Sequence, residues 1–245
     1  MIRFFILIFL CIRVDALTVV VTSKHLYSVI IPLFKNIASP EVLYPEHSCC
    51  HGYSLKPSDI MTLKNADLVI WQGKNQEAFL EASITKEKSV VIFDSPFYEW
   101  LVPEKVLSEI NRILPQIETK LTQEEKSIFL KNVEVFKERL KQLQKKLVSK
   151  PFKNIIFSSR VFSPLAAYTE VPIIEFGQTI SDRSNFLEKA PKGSSVWVDA
   201  SHFSESDVDF LTKRGMNVVP IDAEAKKRPL SDIMYERFME DMFKN

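Results

Sequence analysis

TQEEKSIFLKNVEVFKERLKQLQKKLVS, residues 122–149, decides how this chain is built. It contains no Gly and no Pro. Phe129, Val133, Phe136, Leu140, Leu143 and Leu147 step alternately by four and three residues. That spacing puts them on one stripe of an α-helix, and charged residues fill the other faces. A helix of this length runs about 42 Å, longer than one small lobe is wide. Three strand-like runs precede the segment and four come after it. The spacing predicts two α/β lobes joined by a rigid helical strut. A coiled-coil dimer would use the same stripe, but about three heptads are short for one, so intramolecular packing is expected.

Working outward, apolar and β-branched runs fall at 17–22, 66–72, 89–93, 154–158, 171–176, 195–199 and 216–221. Most are nearly continuous, as in DLVIW, VVIF and VWVD, which is how strands covered on both faces of a parallel sheet read. Helical patterns lie between them at 26–37, 58–65, 75–82, 103–114 and 204–214. Pro103 suits a first helical position. Ser204 with Asp207 resembles a capping box. The expected fold class is α/β, with two (β/α)4-like lobes of parallel sheet, one long linking helix and a cleft between the lobes. The expected bounds are an N-terminal lobe over 17–115, the linking helix over 116–150 and a C-terminal lobe over 151–245.

Composition narrows the function classes. The chain has 245 residues, 46% hydrophobic and 26% charged, enough for real cores. Only 5 are Gly, at 52, 73, 177, 193 and 215. A P-loop, a dinucleotide fingerprint and a nucleophile elbow all need closely spaced glycines, so none is present. Met1-Ile2-Arg3 is followed by FFILIFLCI and then by Arg13 and Val14-Asp15-Ala16. The apolar run is too short to cross a bilayer core of about 30 Å. It reads as a secretory signal peptide over 1–16, placing the mature protein in the periplasm or on the extracellular face. A buried first strand is the competing reading, and Leu10 before Cys11 argues against a lipid anchor. Without residues 1–16 the chain has 30 basic and 30 acidic residues. No basic excess points to nucleic acid.

His47-Ser48-Cys49-Cys50-His51 is the densest group of metal-capable side chains. Imidazole and thiolate suit zinc, copper(I) or iron, yet the spacing is not a zinc-finger pattern. A solvent-facing turn would accommodate the same residues. The stretch that begins at His51 is more specific. His51-Gly52-Tyr53-Ser54-Leu55-Lys56-Pro57-Ser58-Asp59, then Leu63, Ala66-Asp67-Leu68-Val69-Ile70 and Gly73, resembles the H-x-Y-x-L-x-P-S-D segment of a known family. That family is the zinc/manganese-type periplasmic solute-binding proteins of ABC importers (cluster A-I, with ZnuA-like, TroA-like and PsaA-like members). Trp100-Leu101-Val102-Pro103, Asn132 with Phe136, and the segments 157–168, 198–203 and 230–243 extend the resemblance more loosely. It implies two lobes around one rigid helix, a cleft holding a zinc or manganese ion as cargo, and an ABC membrane permease as partner. A monomer is expected, with no catalytic residues.

The resemblance makes His51 the first metal ligand. Its second, third and fourth ligand positions fall on Tyr98, Ser158 and Ala200, none of which is a usual zinc donor. Glu99 beside Tyr98, Asp199 beside Ala200, His202, Cys50 and His47 are the expected substitutes. Asp199 ends a strand on the side where open α/β sheets bind ligands. Tyr98 reads as an aromatic cleft wall, because a phenol is a poor ligand near neutral pH. Ser158 and Ser159 read as caps of a following helix. Two other classes remain: a protein of the same fold that has lost its metal and acts as a docking, adhesion or interaction module, and a hydrolase built on Ser158, His202 and Asp199. No nucleophile elbow supports the last.

Overall fold

The computed structural model describes residues 17–44, 53–149, 152–177, 179–200 and 203–221. The first lobe is built from β1 (Val19–Val21), α1 (Lys24–Ile30), β2 (Glu41–Val42), α2 (Pro57–Asn65), β3 (Leu68–Trp71), α3 (Lys74–Glu77), β4 (Ser89–Val91) and α4 (Pro103–Glu118). The strut α5 (Gln123–Ser149) comes next. The second lobe has β5 (Ile155–Phe157), α6 (Ser163–Thr169), α7 (Ile180–Lys189), β6 (Ser195–Asp199), α8 (Glu205–Thr212) and β7 (Asn217–Ile221). The sheets run β2-β1-β3-β4 and β5-β6-β7, and every pairing is parallel. The α/β fold with parallel sheets and one long helix is therefore the one the hydrophobic patterns predict.

Strand alternation splits each sheet between two cores. Val19, Val21, Leu68 and Ile70 face the core that holds α4 and α5, while Val20, Val69 and Trp71 face Leu63 of α2 on the other side. In the second lobe Ile155, Phe157 and Trp197 join the strut core, and Ile156, Val196 and Val198 pack against Phe186 and Leu211. The six-residue stripe of α5 is buried along its whole length. Val106, Ile110, Ile113 and Ile117 of α4 belong to the same core, so burial carries that helix past Pro115. One continuous apolar cluster thus passes through both lobes and packs the strut along its length.

Three of the differences from the sequence reading have a local cause. Residues 171–176 form no strand; they make one parallel bridge, Phe157 to Ile173, beside β5. Pro172 has no N–H to give a ladder, although its carbonyl accepts from Phe157 N–H at 3.0 Å. β2 was not foreseen, because Glu41-Val42 is too short to carry a pattern. The helix expected over 26–37 ends at Ile30 and continues as turns, with Leu33 N–H donating to Ile30 carbonyl at 3.0 Å. Pro32 interrupts the i to i−4 ladder there.

Asn132 fastens the strut to these turns. Its side-chain amide donates to the carbonyls of Leu33 and Lys35 at 3.1 and 2.7 Å. Asn132→Ala is expected to leave two carbonyls short of a donor and to cost about 1–2 kcal/mol. Urea titration of the two proteins side by side checks this.

Candidate functional site

The local chemistry of the H-x-Y-x-L-x-P-S-D segment becomes visible just beyond His51. Tyr53 hydroxyl donates to Asp59 Oδ2 at 2.7 Å, and Lys56 N–H donates to the same oxygen at 2.7 Å. Pro57 starts α2, where its missing N–H costs nothing. Burial and the bond to Asp59 push the Tyr53 phenol up to about 12. Burial would raise Asp59, but the donors from Tyr53 and Lys56 outweigh it and its carboxyl lies below the usual range. The Tyr53 ring packs on Tyr44 with centroids 5.0 Å apart. The spacing of Tyr and Asp therefore anchors the chain where it leaves residues 45–52. Those residues, with His47, Cys50 and His51, lie outside the described residues, as does His202.

Both sheets reverse direction of build at one point, and both crevices hold buried polar groups. In the first sheet β1 has β2 on one side and β3 on the other. The Glu77 carboxylate plugs the crevice at their ends. Its Oε2 accepts from Gln72 N–H at 2.7 Å and Thr22 hydroxyl at 3.1 Å, and its Oε1 accepts from Tyr44 hydroxyl at 3.0 Å. Glu77 is 0% exposed, and burial raises its carboxyl to about 7 despite these three donors. The sequence reading missed this residue. The available signal was a Glu just beyond the end of an apolar strand.

In the second lobe, segment 171–176 lies on one side of β5 and β6 on the other. Ser158 and Asp199 sit at the carboxyl ends of β5 and β6, where such a switch point places ligands. Both are buried, at 2% exposure each. They line a hollow of about 560 Å³ together with Ser159, Phe176, Asn185 and Phe203. Gly177 lines it too, and a Cβ there would collide with the Asp182 side chain. Ala200, the neighbouring position, faces a different hollow with Val208 and Pro220. Strand alternation thus turns Asp199, not Ala200, toward the cleft. Ser159 does cap the turn after it, accepting from Val161 N–H at 3.4 Å. Ser158 does not: its hydroxyl is buried with no hydrogen-bond partner.

Tyr98 bridges the lobes. Its hydroxyl donates to Asp199 Oδ2 at 2.6 Å, and its N–H donates to Val161 carbonyl at 2.9 Å. The ring packs on Trp100 at 4.7 Å, and Trp100 stacks on His25 at 4.0 Å. Ser23 hydroxyl lies 3.2 Å from His25 Nε2. Tyr98 is buried in the core between the lobes, at 8% exposure, and makes a polar bond to the facing lobe that the sequence reading lacked. Glu99 opens the turn Glu99–Leu101 and is half-buried, but it neither lines the hollow nor joins the Tyr98–Asp199 contact. Among the described residues, no three His, Cys, Asp or Glu side chains gather closely enough to hold a metal ion.

Comparison with known proteins agrees with this architecture. Residues 19–182, more than half of the chain, match the ZnuA family, described as the periplasmic component A of a zinc-uptake complex. The chain belongs to the ZnuA family. Over 69 residues this ZnuA-family chain is 46% identical to the high-affinity zinc uptake system protein ZnuA of Haemophilus ducreyi, covering 27% of this chain and 22% of that protein. Over 77 residues it is 38% identical to a putative metal-binding protein of Thermotoga maritima, covering 31% and 28% of the two. The matched stretches span less than a third of either relative. Its fold superposes on the crystal structure of ZnuA with a TM-score of 0.75 at 16% identity, over 94% of this chain and 98% of that one. It superposes equally on FpvC from Pseudomonas aeruginosa in complex with Mn2+, with a TM-score of 0.75 at 16% identity over 94% and 96% of the chains.

Proposed function

We propose that this ZnuA-family chain is an extracytoplasmic solute-binding protein that captures zinc or manganese in its cleft and hands it to an ABC permease. The observation that carries the reading is Asp199, a buried carboxylate at a switch point, hydrogen-bonded across the cleft to Tyr98. A carboxylate there is a donor that either metal accepts. His51 is the second donor proposed, because its loop opens the H-x-Y-x-L-x-P-S-D segment anchored by Tyr53 and Asp59. His202, three residues beyond Asp199, and Cys50 and His47 beside His51 are the candidates to complete the sphere. Glu99 receives no role in this reading.

The metal is cargo, and the role is carriage rather than turnover. A signal peptide over 1–16 and delivery to a membrane permease belong to the same proposal, as do a monomeric state and the absence of a nucleic-acid partner. Equilibrium dialysis against zinc and against manganese, followed by metal analysis, tests it. About one equivalent of one metal is expected to remain bound at micromolar concentration. Retention of neither would leave the fold without cargo and turn attention to a docking or interaction role.

A further inference from the structure

We infer that the C-terminal half of α5, with the start of α4, is a docking surface for a bilayer bearing anionic headgroups. This surface shares no residue with the hollow beside Asp199, so the inference goes beyond the metal-capture reading and does not need it. Charge distribution is the first argument. Residues 17–245 carry 30 basic and 30 acidic side chains, yet residues 137–153 carry seven basic and one acidic. The basic excess sits at one end of the strut, and the remainder of the chain is acidic.

Helix stability does not account for the excess. Lys137, Lys141 and Lys145 recur every four residues and so form one stripe, and like charges at that spacing weaken a helix. The macrodipole favours cations in the last turn only, which covers Lys146 and leaves out Lys141 and Lys145. Glu134 and Glu138 meet Lys137 and Lys141 at 3.1 and 3.8 Å, in surface pairs that water and salt screen. Lys145 has no acid three or four residues away on either side.

Apolar surface accompanies the stripe. Val148 lies seven residues past Lys141 and three past Lys145, on the same face, and is 62% exposed. It continues into a shallow groove between α4 and α5, lined by Pro103, Leu107 and Leu140 and by Lys141 and Lys145. Among the described lining residues Glu104 is the acid, and Tyr168 hydroxyl donates to it. An exposed apolar side chain among lysines suits a surface that lies on a membrane. The apolar group enters between headgroups while the lysine stems snorkel. The choice of cation fits the same partner. Six of the seven cations in 137–153 are Lys. An ammonium on a flexible stem is a point charge suited to a diffuse anionic surface, whereas the planar fork of Arg suits a fixed carboxylate. The permease of the proposed function lies in a bilayer, so this surface would hold the carrier near it.

Co-sedimentation with vesicles of phosphatidylcholine alone, and of an equal mixture with phosphatidylglycerol, tests this. The proposal expects partition onto the mixed vesicles to be at least about tenfold stronger, because each lysine near an anionic surface adds about fivefold. The preference is expected to vanish at about 0.5 M salt, where charges are screened within a few ångströms. Lys141→Glu with Lys145→Glu is expected to bring the mixed vesicles down to the phosphatidylcholine level. Lys141→Gln with Lys145→Gln is expected to fall between, and serves where the charge reversal disturbs the fold. Lys86→Glu with Lys192→Glu changes the net charge equally at exposed lysines elsewhere and is expected to leave the preference standing. Val148→Asp is expected to weaken partition at least about tenfold, because it puts an acid where a side chain enters the headgroups. Urea midpoints of the variants, compared with wild type, keep a loss of fold from being read as a loss of docking. No preference for the mixed vesicles overturns the inference and leaves an acidic protein segment as the partner that the stripe fits. Equal losses in the two Lys→Glu pairs overturn it as well. Zinc retention in dialysis is read separately, and its failure overturns the metal-capture reading without touching this one.

Discussion

Asp199→Asn is expected to weaken zinc binding by more than about 100-fold, beyond what the loss of an outer partner costs. The substitution is nearly isosteric. The amide oxygen still accepts from Tyr98 hydroxyl, so the lobe-to-lobe bond persists in a weaker, uncharged form. What disappears is the anionic donor at the switch point, and an amide does not replace a carboxylate as a zinc ligand. Competition against a fluorescent zinc chelator gives the affinity. Retention of wild-type affinity would remove Asp199 from the metal site.

Tyr98→Phe, measured alongside, separates a phenol that orients Asp199 from one that binds the metal itself. The bond at 2.6 Å is a short, charge-assisted one. If Tyr98 acts by orienting the carboxylate, its removal costs about 10–100-fold in affinity, the usual range for an outer partner. If the phenol ligates the ion, the loss equals that of Asp199→Asn. The aromatic stack with Trp100 and His25 survives in Phe, so a fall in affinity reports the hydroxyl and not the packing.

The parts of the molecule written by local periodicity were legible in the sequence. The α5 stripe repeats over six positions, and continuous apolar runs such as SVWVD mark strands buried on both faces. Asp199 could be placed at a strand end for the same reason. Contacts that depend on docking the two lobes were not legible. Tyr98 and Asp199 are 101 residues apart, and nothing near either one specifies the other. The choice between Asp199 and Ala200 needed the register of β6, because a single step along a strand reverses the face. Segment 171–176 has strand composition, but Pro172 confines it to an irregular sheet edge. Glu77 was hidden because its three donors come from Thr22, Tyr44 and Gln72, which meet only after β1, β2 and β3 have paired.

Glu77 makes stability depend on pH in a direction opposite to that of an ordinary ion-paired carboxylate. Its folded value, about 7, lies above its ordinary 4.5 because burial disfavours the charge more than the three donors favour it. The folded state thus holds this proton more tightly than the unfolded chain does. The stabilising contribution is complete below about pH 4.5, declines as the pH rises and is gone once it passes about 7. The shift corresponds to roughly 3 kcal/mol. Glu77→Gln keeps an acceptor for Gln72 N–H and Thr22 hydroxyl, and its amide donates to the Tyr44 oxygen, which can turn to accept. The variant has no charge to bury. Relative to wild type, it is expected to gain about 3 kcal/mol between pH 4.5 and pH 8, read from urea titrations at each pH. Other groups titrate in that interval, and taking the difference between the two proteins removes them. Parallel stability curves for the two proteins would mean that Glu77 is already ionised in the fold, held by its three donors against the cost of burial.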